Sequence, residues 1–423
     1  MNERTKNFLR EKFKEYYLKY PIQLPPGFES REWGFVMFDA LPKIVMYRHK
    51  SFFSRQEVLE YLRSMAPAHA FFSVAYYEHP EAGTMADKHW TGADLIFDLD
   101  ADHLRDAPES YPAMLANVKD ETLKLLGFLT DDFGFSEDLI DVVFSGGRGY
   151  HIHVRDQRVR TLGSAERRDI VDYLSGNGLD IVSMFDRSKS SGMDVYREYG
   201  TKTIQRPQYQ IGQFHDVHRE QGTKSKTSSI QIVGHESGWR KRVKEGVIEY
   251  LDEQSSKPDK EALKNIQKLE GVGKRTAMDI LMLARNKRII NKFNETGSID
   301  LTWQPRFFES LAKSSIERFR VHGAESDEPV TGDIKRLIRL PTSLHGGSSL
   351  RVVPLTLETI KVFDPLKDAV VFSDKAIAVA AESPASCDLR GNHFEIEEGG
   401  NKVPEYAGIY LMCRGAVEYA GRV

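Results

Sequence analysis

Cysteine is almost absent from this chain. The 423 residues include two, Cys387 and Cys413, so neither a disulfide framework nor a cysteine zinc cluster can be assembled from it. Long apolar runs are missing as well. No stretch of about 18 apolar residues occurs, which argues against a transmembrane helix. The N-terminal MNERTKNFLREKFKEYYLKY is charged where a signal peptide would be apolar. Both absences point to an intracellular, cytoplasmic protein. Charge of one sign is lacking too: the formal net charge of -3 excludes a uniformly basic nucleic-acid-coating protein, while leaving room for a local cationic groove. The remainder, 40% hydrophobic and 29% charged, is ordinary globular composition, with length for two or three domains.

Two stretches carry most of the chemistry. In DLIFDLDAD, period-two alternation puts Asp98 and Asp100 on one side of a strand, about 7 Å apart along the backbone. Two carboxylates on one face repel unless they sit at a solvated rim or divalent cations neutralise them, and an oxygen-rich site suits Mg2+ or Mn2+. In DVVFSGGRGYHIHV the pattern predicts strand, glycine turn and strand, with Tyr150, Ile152 and Val154 on one face and His151 and His153 on the other. The bland reading of SGGRG is a hairpin turn. The functional reading is that Gly146, Gly147 and Gly149 let backbone amides approach an anion while Arg148 offers a planar fork to phosphate.

The rest of the chain predicts a helix over residues 1–20, strands between Glu32 and Phe52 that bring Arg48 and Lys50 to one face, and a serine-capped helix from SRQEVLEYLRSMAP. A strand in AFFSVAYYEH, a helix in 108–137 and a second serine-capped helix in SAERRDIVDYLSG follow. Interleaved strands and helices imply an α+β, α/β-like catalytic domain with a mixed sheet. From about 219 to 316 the character changes to mixed-charge helices, read as an inserted all-helical subdomain between a first part (1–218) and a second part (317–423) of the catalytic domain. Inside the insert, EGVGKRTAMDIL resembles a helix-hairpin-helix turn; in one copy it is more simply a packing element. After the insert, DIKRLIR predicts a short helix presenting Arg336 and Arg339 one turn apart, with Asp333 at its dipole-favoured start. Asp327 lies outside that helix, either a loop carboxylate or a third metal ligand. The C-terminal YAGIYLMCR predicts a strand.

Three segments in order, FDLDAD at 97–102, SGGRGYHIHV at 145–154 and DEPVTGDIKRLIRLPTSLHG at 327–346, make the chain resemble the catalytic small subunit of archaeal and eukaryotic DNA primases over nearly its whole length. The resemblance implies that Asp98, Asp100 and Asp327 are the catalytic, metal-binding carboxylates for two Mg2+ or Mn2+ ions. It places Ser145, Arg148 and His151 in a triphosphate-binding motif, and Arg339, His345 and, on a shorter match, Arg48 among nucleotide-contacting groups. It further implies NTP substrates, a single-stranded DNA template, a large partner subunit bearing an iron-sulfur cluster, other replication proteins and a nucleoid-associated location, with no membrane. Residues 103–140 contain no cysteine, so the zinc knuckle of many members is not expected. Against primer synthesis stand three other readings of the same residues: a D-x-D glycosyltransferase, a histidine-nucleophile nucleotide hydrolase and a non-catalytic nucleic-acid-binding module.

Overall fold

The computed structural model describes residues 1–422 apart from 105–107, 109, 191–226, 233–235, 301–304 and 323–330. The described residues form two compact units, Met1–Asn177 with Val321–Val423, and Gly178–Arg320. The fold is α+β. No helix among the described residues is long and apolar enough to cross a membrane.

In the first unit, β1 (Trp33–Val36), β2 (Met46–Lys50) and β3 (His69–Ser73) precede a short hairpin, β4 (Ala75–Tyr77) and β5 (Trp90–Ala93). Then come β6 (Leu95–Asp100), β7 (Ile140–Phe144) and β8 (Gly149–Val154). The second unit contributes β9 (Phe185–Ser190), β10 (Thr227–Ile232) and β11 (Ser298–Asp300). On return, the chain adds β12 (Leu337–Arg339) and β13 (Val353–Leu355) and closes with β14 (Ala376–Ala381), β15 (Ala385–Leu389), β16 (Asn392–Ile396), β17 (Gly399–Pro404) and β18 (Glu418–Arg422). Two four-stranded antiparallel sheets organise the first unit, in the orders β12-β3-β1-β2 and β13-β7-β8-β6. β12 and β13 each take an edge position, so the segment after the second unit completes both sheets.

Local chemistry explains the helices. Helix α1 (Glu3–Lys19) starts at Asn2, whose side chain accepts the Thr5 amide at 2.8 Å, and it buries Leu9, Phe13, Tyr16 and Tyr17. Ser54 caps α2 (Arg55–Met65) by accepting the Glu57 amide at 3.2 Å. Helix α3 (Tyr111–Gly127) packs on β6 and β8, covering the face that carries Tyr150, Ile152 and Val154. Ser164 opens α4 (Ser164–Ser175) from inside the first turn, with Gly163 at the cap. Its hydroxyl donates to the Gly332 carbonyl and is therefore a tertiary link rather than the expected cap.

Three other expectations are corrected. The insert is not all helix: β10 and β11 fall within 219–316 and pair with each other, and β10 also pairs with β9. Polar strands such as TSSIQI leave little apolar alternation to read. DIKRLIR is a turn entering β12, not a helix; Asp333 accepts the Lys335 amide at 2.9 Å and Arg336 donates its amide back to the Asp333 carbonyl, and pairing with β3 wins over helical propensity. YAGIYLMCR is helical, within Glu405–Cys413, and buried from Glu405 to Met412. A short run apolar on all sides has no period to separate strand from buried helix. In the second unit, the helices Asp259–Ile266 and Lys274–Ala284 flank the EGVGK turn, which is held by buried Val272.

β8 is buried on both faces, which leaves its histidines in an unusual place. His153 is fully buried and stacks on Phe72 of β3, ring centroids 6.0 Å apart and 12° from parallel. Neither ring nitrogen has a hydrogen-bond partner among the described residues. Burial holds the pKa of His153, His69 and His345 well below the ordinary value and lowers that of His151. In the unfolded chain these rings titrate near about 6.5. Between the folded and unfolded values the unfolded chain binds more protons, so the stability present above about pH 6.5 is lost as pH falls. The expected result is a melting temperature that declines as pH drops below that point. His153→Phe, which removes two unpartnered nitrogens, should gain about 1 kcal/mol and flatten the decline. Denaturant melts at pH 7.5 and 5.5 check both; a less stable variant with an unchanged slope would contradict the account.

Candidate active site

The register between β6 and β8 builds the floor of a cleft. Asp98 lies opposite His151, and Asp100 opposite Gly149; directly opposed residues share a face, so both carboxylates stand on the histidine side of the sheet. His151 Nε2 is 3.3 Å from Asp98 Oδ1, and Arg336 reaches the other Asp98 oxygen at 3.5 Å. Arg148, at the tip of the β7-β8 turn, lies 3.5 Å from Asp100 and 2.5 Å from Asp102. Asp100 also accepts the Asp102 amide at 3.1 Å, turning the chain out of the strand.

The start of β6 is pinned from below. Arg31, fully buried, pairs with Asp94 at 2.8 Å and donates to the carbonyls of Ser73 and Val74 at the end of β3. Tyr76 donates its hydroxyl to the other Asp94 oxygen at 2.9 Å, and Arg167 donates to the carbonyls of Ala93 and Asp94. One buried network thereby fixes how the strand bearing Asp98 and Asp100 meets the other sheet.

β12 and β3 supply the opposite wall. Arg339 lies over the Phe71 ring and donates to His69 Nδ1 at 2.7 Å, which also accepts the Gly346 amide at 3.2 Å. Two donors on one nitrogen make that nitrogen the acceptor of a neutral ring. Burial brings the Arg339 pKa down to about 10, opposed by Asp98 and Asp100; it stays protonated at neutral pH. His345 Nδ1 accepts the Gly347 amide at 3.2 Å, so the Nε2 of its neutral ring carries the proton.

The glycine turn is tightly packed. Gly146 has φ +76, and a Cβ there would meet His345 Cβ at 2.7 Å, conditions that only glycine satisfies without strain. Ser145 Oγ accepts the amides of Gly147 and Gly149 at 3.2 and 3.3 Å, and Tyr111 donates its hydroxyl to the Gly147 carbonyl at 2.5 Å. The cleft above this turn has a volume of about 430 Å³ and is walled by Asp98, Asp100, Ser145, Arg148, His151 and Arg339 together with Arg336, His345 and Arg414.

In this cleft a carboxylate pair faces clustered arginines. A family described as DNA primase small subunit matches residues 97–357, from the first acidic strand to just past β13. The chain belongs to the DNA primase small-subunit family. It is 44% identical over 429 residues to the DNA primase small subunit PriS of Methanosarcina barkeri, covering 100% of this chain and 98% of that one. It is 45% identical over 426 residues to the PriS of Methanocella arvoryzae, covering 99% and 100%.

Within this primase-family chain, the cleft gathers Asp98, Asp100, Ser145, Arg148, His151, Arg339 and His345 from three separate segments. Arg48 stands apart: it does not line the cleft but bonds the fully buried Glu32 through Nε at 2.9 Å. Asp327 lies outside the described residues. Burial opposes protonation of His151 and His345, and the Gly147 and Gly149 amides are already bonded to Ser145. Positive charge comes instead from four arginines, of which Arg336 and Arg414 were not among the expected nucleotide contacts. Arg336 was legible in the DIKRLIR motif had it been placed on a strand entry. Arg414, resting over the Tyr111 ring at 5.3 Å, left no sequence signal, since it follows the helix misread as a strand.

Proposed function

We propose that this chain is the catalytic subunit of a DNA primase, synthesising short RNA primers on single-stranded DNA by template-directed nucleotidyl transfer from NTPs with release of pyrophosphate. The observation that carries the reading is one cleft in which Asp98 and Asp100 face Arg148, Arg336, Arg339 and Arg414. The donor chemistry fits a divalent metal: both carboxylates open to the cleft, and the contacts of Asp98 to His151 and Arg336 and of Asp100 to Arg148 are as long as 3.3 to 3.5 Å, loose enough for oxygen-preferring Mg2+ or Mn2+ to replace. Asp327, in the third matching motif, joins the proposed ligand set on the resemblance of that motif. Two divalent ions bound by these carboxylates supply an activated 3'-hydroxyl and a stabilised pyrophosphate leaving group.

The chain's own side chains then have distinct tasks. The arginines offset triphosphate charge in a partly desolvated cleft, where fixed cations act most strongly on developing negative charge. His151, with Nε2 3.3 Å from Asp98, lies beside that carboxylate. His345, with its Nε2 proton facing the Gly147 turn, offers a neutral donor to phosphate oxygen, and Ser145 keeps the turn in shape. A large partner subunit bearing an iron-sulfur cluster, forming a heterodimer with this chain, completes the proposal.

De novo synthesis on single-stranded DNA, with ribo- and deoxyribonucleotides supplied separately and with and without the large subunit, tests it. Template-directed RNA products support the reading, and salt-sensitive DNA binding without metal-dependent turnover would overturn it. Within the site, Arg148→Ala is expected to raise the KM for nucleotide about tenfold or more, with a smaller change in kcat, because a charge-assisted contact to phosphate is lost. An unchanged KM with weakened template binding would move Arg148 to the nucleic-acid groove.

A further inference from the structure

The β4-β5 hairpin carries a second cluster of metal-competent side chains, separate from the cleft. Beyond the paired strands the ladder continues: Glu78 donates its amide to the His89 carbonyl and His79 donates its amide to the Lys88 carbonyl, both at 3.1 Å. This register brings Glu78, His79 and His89 together, with one ligand atom from each lying within 4.8 Å of the others. His89 Nδ1 is 3.1 Å from a Glu78 oxygen, and the two imidazole rings meet edge to face with centroids 5.4 Å apart. Around a tetrahedral zinc ion with bonds of about 2.0 to 2.1 Å, neighbouring donors lie about 3.4 Å apart.

Two further features mark the cluster. His89 has φ +49, a left-handed conformation that a histidine adopts at a cost and that glycine or asparagine would take more readily. Lys88, next to it, is fully buried, with its ammonium donating to the Pro80 carbonyl and lying 3.9 Å from Glu32, so its positive charge is drawn inward, away from the three exposed ligands.

We propose that Glu78, His79 and His89 form a binding site for a transition-metal dication, with Zn2+ the best match and a fourth position open to water. Two imidazoles and one carboxylate favour zinc over magnesium, whereas the all-oxygen pair Asp98 and Asp100 has the reverse preference. Bound there, the ion ties together the two ends of the Pro80–Lys88 loop, and β5 leads from that tie directly into the strand of Asp98 and Asp100. The site needs no cysteine and lies outside residues 103–140.

The test uses the full chain stripped of metal by chelation and titrated with Zn2+ against a chromophoric chelator. Wild type should take up one tight equivalent, and Asp98→Asn with Asp100→Asn should keep it. His79→Ala with His89→Asn should weaken it at least tenfold; asparagine is chosen because it tolerates the left-handed backbone. Glu78→Gln provides a second, milder variant with a smaller loss. Zn2+ should also raise the melting temperature of wild type and not of the histidine variant. No tight equivalent in wild type, its persistence in the histidine variant, or its loss in the aspartate variant would each overturn the proposal.

Discussion

Replacing Asp98 or Asp100 by alanine is expected to leave a folded protein that incorporates nucleotide about a thousandfold more slowly or not at all, a loss of about 4 kcal/mol in transition-state stabilisation. Both side chains are partly open to the cleft, and their ion pairs with Arg336 and Arg148 are 3.5 Å long. Removing one carboxylate therefore costs the fold little, and it also relieves repulsion between two like charges on one strand face. What is lost is the proposed oxygen ligand and, at position 98, the carboxylate 3.3 Å from His151 Nε2. Primer extension with Mg2+ or Mn2+, alongside a thermal melt, separates the two effects. Extension near the wild-type rate by either variant would remove that residue from the metal site.

Gly149→Ala should be as damaging for a different reason. Gly149 begins β8 opposite Asp100, and a Cβ there would run into the Leu99 carbonyl oxygen, with the Asp100 Cα at 3.0 Å. These are backbone atoms of the paired strand and cannot rotate aside. β8 would have to separate from β6 at Asp100, two residues from where Asp98 and His151 face each other, at a cost of about 3 kcal/mol in stability. Activity should then fall further than the loss of folded protein explains. Chemical unfolding together with activity per folded molecule measures both, and a variant within about 0.5 kcal/mol of wild type would show that the strands part without strain.

The carboxylate pair was legible in FDLDAD because strand alternation is a local property: residues two apart share a face whatever the rest of the chain does. The glycine turn and the strands flanking it were legible for the same reason, and so were α1 and α2, whose polar caps precede an apolar stripe. The Gly149 clash was invisible, because it depends on which strand lies beside β8 and in what register.

The ionisation of the site was equally hidden. His151 and His345 look like cations in a list of basic residues, but desolvation at the wall of the cleft lowers the pKa of both and favours the neutral ring. Arg48 looks like a free cation on a strand face, and the fold sets it against buried Glu32. Arg336 and Arg414 enter the cleft only because β12 joins the edge beside β3 and because Glu405–Cys413 winds into a helix.

Sequence alone thus determined the chemistry available to this protein, namely which carboxylates share a face, where glycine permits a tight turn and which family the ordered motifs match. Tertiary structure decided which cations meet those carboxylates and which histidines stay uncharged. Alternation and capping act over a few residues and are written into the chain locally, whereas desolvation and sheet order depend on partners distant along the chain, about fifty residues for β6 beside β8 and more than two hundred for β12 beside β3.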